Sequence, residues 1–106
     1  MNISSHELRG KKYFLEGNLS FSIAAFNEAL SQEPGSLRAR LVRGAAHLKL
    51  GQIDEALDDL TTVIEGGGDC EKAFFLRGIA YLNEGEFANS LIDLNKSNRS
   101  PGFFLP

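Results

Sequence analysis

The chain has 106 residues, 42% hydrophobic and 24% charged, with a formal net charge of −3. That length supports one domain, and the acid excess argues against a nucleic-acid or anionic-membrane surface. The single cysteine, Cys70, excludes an intrachain disulfide and a cysteine-built metal site.

No basic segment followed by an apolar run opens the chain, and no apolar run is long enough to span a bilayer. A cytoplasmic, reducing setting is therefore expected. Ser4-x-x-Glu7 has the form of a capping box and predicts a first helix to about Glu16. Gly17-Asn18 ends it. Leu19, Ile23, Phe26 and Leu30 form one helical stripe, predicting a second helix from about Leu19 to Gln32, stopped by Pro34-Gly35. Ser36 is the expected cap of a third helix, about Leu37 to Leu50, which Gly51 ends. Ile53, Leu57, Leu60 and Ile64 repeat the earlier stripe over about Ile53 to Glu65. Gly66-Gly67-Gly68 then replaces the Pro-Gly turn and suggests a looser joint, with Asp69 capping a fifth helix to about Glu84. A sixth, about Phe87 to Asn98, carries Phe87, Leu91 and Leu94 and ends on polar Ser97-Asn98, as suits a terminal unit. Residues 99–106 form a tail.

The chain repeats itself. Arg-Gly recurs at Arg9-Gly10, Arg43-Gly44 and Arg77-Gly78, each 34 residues from the last, and a second glycine follows seven residues later at Gly17, Gly51 and Gly85. Tyr13, His47 and Tyr81 share a column, as do Leu19, Ile53 and Phe87, and Phe26, Leu60 and Leu94. This pattern resembles the tetratricopeptide repeat, with units of about 3–36, 37–70 and 71–98 in one domain over 1–106. The resemblance implies an all-α fold, a right-handed superhelical stack of three helix-turn-helix repeats. Two departures stand out: Ser22 and Ser90 replace the small residue that Ala56 supplies, and Gly68 takes a proline's place. The arginines at 9, 43 and 77, with Asp59 and Asp93 on the second helices, read as salt links between helices.

No constellation for catalysis is present. His6 and His47 have no partner at metal-ligand spacing, and His47 occupies an aromatic packing column. Gly66-Gly67-Gly68-Asp69 lacks the Lys-Ser/Thr of a phosphate loop. Asp54, Glu55, Asp58 and Asp59 are spaced as a solvated helix face. The expectation is a non-enzymatic interaction module without cofactor or metal: an adaptor, chaperone or assembly scaffold.

In the resembled family the first helix of each unit lines a concave groove. Carried across, that lining is Lys11, Phe14, Arg38, Leu41, Ala45, Lys49, Lys72, Phe75 and Ile79. Four cations over an apolar floor, opposed only by Glu7, predict a peptide partner with acidic and apolar residues. Co-chaperones of this family hold heat-shock carboxylate tails with Lys and Asn, then Asn, then Lys and Arg. The corresponding residues here are Glu7, Lys11, Val42, Lys72 and Leu76; only Lys72 matches, so such a tail is not an expected partner. A second expectation concerns the C-terminal end. Ala88 and Ile92 are expected to face a missing neighbour, and Phe103, Phe104 and Leu105 to cover that end or join two copies as a weak homodimer. The alternative roles are thus a self-associating structural unit or a piece of a longer array.

Overall fold

Six helices make up the described residues, 4–97, of the computed structural model: α1 Ser5–Leu15, α2 Leu19–Gln32, α3 Leu37–Lys49, α4 Ile53–Glu65, α5 Cys70–Asn83 and α6 Phe87–Lys96. Phe103, Phe104 and Leu105 lie outside the described residues. Each odd-numbered helix packs antiparallel on the next, and the pairs stack so that α1, α3 and α5 lie side by side along one face.

The starts and stops follow local chemistry. Ser4, Ser36 and Asp69 accept the N–H groups of Glu7, Ala39 and Lys72 at 3.1, 3.2 and 3.2 Å, satisfying donors a helix start leaves free. The box expected at Ser4 is only half formed, because the Glu7 carboxylate turns to the second pair instead. Gly17, Gly51 and Gly85 take φ of 81, 79 and 78°, a region that disfavours a Cβ, and so reverse the chain between paired helices.

Close approach explains the other glycine column. A Cβ on Gly10 would lie 2.7 Å from the Phe26 ring, and one on Gly78 2.8 Å from Leu94. At Gly44 the nearest atoms, on Asp59 and Leu60, are 3.2 Å away. The same test corrects the expectation at the triple glycine. A Cβ on Gly68 would meet Val63 at 2.9 Å and Leu37 at 3.2 Å, so this joint is closed rather than loose.

Two serines that depart from the small-residue pattern have a use. Ser22 donates to the Gly10 carbonyl and Ser90 to the Gly78 carbonyl, both at 2.8 Å and both buried. Ala56, equally buried, has no hydroxyl to do the same in the middle pair.

The arginines link helices as expected, but unequally. Arg43 donates Nε and Nη2 to both oxygens of Asp59, at 2.8 and 2.7 Å, and Nη1 to Asn27 of the preceding pair at 2.8 Å. Arg77 repeats this with Asp93, at 2.7 and 3.0 Å, and with Thr61 at 3.2 Å. The aspartate hydrogen bonds raise both guanidinium pKa values above the ordinary range, against the opposing effect of burial. Asp59 and Asp93 are buried, so these links exceed the partly exposed pairs the spacing alone suggests. Arg9 has Ala25 where an aspartate would stand. It donates to His6 at 2.9 Å and comes only within 3.8 Å of Glu28.

The C-terminal end also differs from expectation. Ala88 and Ile92 are exposed, but so are Asp54 and Asp58, which hold the same places on α4 with a following pair already in position. That column therefore faces solvent in every unit and does not await a neighbour. Ser97, expected to be a solvent-facing ending, is fully buried, its hydroxyl donating to the Leu94 carbonyl at 2.7 Å.

Candidate peptide-binding groove

The helices α1, α3 and α5 bring residues from all three pairs to a shared concavity of about 360 Å³. Its lining is Lys11, Leu37, Arg38, Leu41, Val42, Gly68, Asp69 and Lys72. Lys11 lies on α1, one turn beyond Glu7; Arg38 and Lys72 lie in the first turns of α3 and α5. Leu37, Leu41 and Val42 supply the apolar floor.

Four of the sequence-predicted residues, Lys11, Arg38, Leu41 and Lys72, thus meet in one place. Phe14 and Lys49 form a neighbouring contact, the ammonium 5.8 Å from the ring centroid, a cation–π distance joining α1 to α3. Ala45, Phe75 and Ile79 are half-buried and do not line this concavity. Leu37, Val42, Gly68 and Asp69 were missed as lining residues. Leu37 reads as a helix opener and Asp69 as a cap, and a cap position also faces the mouth of the groove when the helix begins there.

The electrostatics correct one expectation directly. Glu7 is withdrawn from the groove surface and is paired with one of its cations, Arg38. Its side chain is 1% exposed, accepting from Ser36 Oγ at 3.1 Å and Arg38 Nε at 3.3 Å. Its charge is neutralised inside the joint between the first two pairs. The carboxylate that does face the cations is Asp69, 3.8 Å from Lys72 Nζ. Arg38 is half exposed despite its bond to Glu7, which leaves guanidinium donors beyond Nε for a ligand.

Helix pairs stacked with a lined concave face define an α-solenoid interaction module. The tetratricopeptide repeat profile matches residues 9–65 and again 46–101, and the chain belongs to that family. Family members of this fold are protein-binding modules rather than enzymes.

The mouse protein named DnaJ homolog subfamily C member 7 is 30% identical over 91 residues, 82% of this chain and 18% of the relative. The rat DnaJ homolog subfamily C member 3 is 31% identical over 99 residues, 93% of this chain and 20% of the relative. The chain thus spans about a fifth of the length of these curated relatives. Among solved structures, the second repeat domain of Spaghetti (RPAP3) bound to the HSP90 peptide SRMEEVD superposes with a TM-score of 0.84 at 26% identity, covering 89% of this chain and 87% of that one. The second domain of human RPAP3 with the HSP70 peptide SGPTIEEVD gives 0.81 at 27% identity, covering 88% and 78%. These complexes, together with the burial of Glu7, overturn the expectation that a heat-shock chaperone tail is an improbable ligand for this groove. No helix among the described residues is long and apolar enough to cross a membrane.

Proposed function

We propose that this groove binds an extended peptide with acidic and apolar side chains, and that acidic chaperone tails of the SRMEEVD and SGPTIEEVD kind are its ligands. The observation that carries the reading is the meeting of Lys11, Arg38 and Lys72 over Leu37, Leu41 and Val42 in one concavity, with Glu7 withdrawn from it. Apolar contacts give such a peptide affinity, and the three cations give it orientation and a fast encounter. The chain has Lys11 and Val42 where the clamp of the resembled co-chaperones has its two asparagines. Its grip is therefore mainly ionic, and affinity falls as salt rises.

The test is a fluorescence-anisotropy titration with labelled SRMEEVD and SGPTIEEVD. Saturable binding is expected, weakened about tenfold or more, roughly 1.4 kcal/mol, by K11E/K72E. A charge-reversed peptide should bind the double variant better than the native chain. Absence of saturable binding, or equal binding by native chain and variant, overturns the proposal.

A further inference from the structure

Arg38 differs from the other arginines and from the other cations of the groove. Its Nε donates to Glu7 Oε1 at 3.3 Å, while its two Nη nitrogens make no hydrogen bond among the described residues. Arg43 and Arg77, by contrast, each engage Nε, Nη1 and Nη2. The Arg38 side chain lines the groove and is 51% exposed, so its free edge is within reach of a ligand.

The group that holds Arg38 is itself held. The other oxygen of the buried Glu7 accepts from Ser36 Oγ at 3.1 Å. Ser36 Oγ accepts in turn from the Ala39 N–H, so its own hydrogen is turned toward Glu7. A carboxylate oxygen is thus fixed beneath Nε, and the planar guanidinium turns with it. Because Glu7 lies against it, Arg38 offers a ligand little net charge. It offers direction: two parallel N–H donors at the spacing of a carboxylate. Lys72 is different, a point charge 3.8 Å from Asp69.

The surroundings of Arg38 define what lies beside that carboxylate. Leu41 and Val42 follow three and four places along α3, on the same face, and line the same groove. The ligand's neighbouring side chain is therefore apolar. SRMEEVD and SGPTIEEVD both place a valine between two acids. Arg38 also stands outside the five clamp positions carried over from the resembled co-chaperones, where Glu7 replaces a lysine and Leu76 an arginine. The substitution that removes a clamp cation from α1 thus anchors a guanidinium from α3.

We infer, resting on the reading of this groove as a tail-binding site, that Arg38 is its specificity residue for a planar carboxylate beside an apolar side chain. Nη1 and Nη2 take the two oxygens of one ligand carboxylate, and Glu7 is the positioning residue. An acidic side chain and the peptide C-terminus share that chemistry, and the test separates them.

The native chain and R38K, which keeps the charge and loses the fork, are titrated by anisotropy with SRMEEVD. The same is done with SRMQEVD, SRMEQVD, SRMEEVN and C-terminally amidated SRMEEVD. R38K should weaken SRMEEVD about tenfold or more, whereas one of the four substituted peptides binds both chains equally and so identifies the carboxylate. E7A removes a negative charge yet should weaken SRMEEVD, and E7Q, which keeps an oxygen for Nε, should restore it. Circular dichroism checks folding. Should R38K or E7A fail to fold, NMR of the native chain gives the reading: the Arg38 Nη–H signals shift at saturation with SRMEEVD and not with one of the substituted peptides. R38K binding every peptide as the native chain does, an equal R38K loss across all of them, or folded E7A binding as tightly as the native chain overturns the inference. If K11E/K72E still weakens binding in that case, the groove reading survives alone; no binding of any peptide by the native chain overturns both.

Discussion

The first and third helix pairs obey one architecture but hold it by different bonds. The third has both devices at once: the Arg77–Asp93 fork and the Ser90 bond to the Gly78 carbonyl. The first keeps only the serine, Ser22 to Gly10, because Ala25 replaces the aspartate and leaves Arg9 with His6 and a distant Glu28. The middle pair is the converse, an Arg43–Asp59 fork with Ala56 in the serine's place. A repeated backbone geometry thus does not imply repeated energetics; each pair meets the same need for closure with its own subset of polar contacts.

The arginines sharpen that contrast most. R77M strands the buried Asp93 carboxylate and should cost about 3–5 kcal/mol, whereas R9M should cost about 0–1 kcal/mol. R43M should fall between them, because Arg40 Nη1 remains 3.7 Å from Asp59. Urea-unfolding free energies check the order, and equal losses at the three sites would break the comparison. Next come the close-packed glycines. G10A drives a Cβ into the Phe26 ring and should destabilise by about 1–3 kcal/mol, more than G44A, where the contacts are half an ångström longer. Thermal melts of the pair read this directly, and a larger loss for G44A would contradict it. The smallest effect separates the serines. S22A and S90A should each lose about 1 kcal/mol by orphaning no more than one hydroxyl bond. A56S, which supplies the missing hydroxyl beneath Gly44, should lose less than either; a loss equal to theirs would mean that the serines serve by size alone.

The 34-residue period made the helix order and the two glycine columns legible before any coordinates, because both are backbone requirements written into residue type. The groove was half legible. Lys11, Arg38, Leu41 and Lys72 come from three neighbouring columns on the groove-lining helices, and register alone did not tell them from their column mates Ala45, Phe75 and Ile79, which do not line the concavity. The fate of Glu7 does not follow from register. Its partners Ser36 and Arg38 stand 29 and 31 residues away, and only the angle between the first two pairs brings them to it. The misplacement of Ala88 and Ile92 had a signal in the chain. Their column holds Asp54 and Asp58 one unit earlier, and two aspartates do not line a buried joint.

The guanidinium forks of Arg43 and Arg77 have a mechanical consequence. Each flat group fastens its own pair through two N–H bonds and the preceding pair through a third, so one rigid plane fixes the rotation between neighbouring units. The rotation between neighbouring units is thereby held by the fixed angles of a guanidinium as well as by close apolar packing.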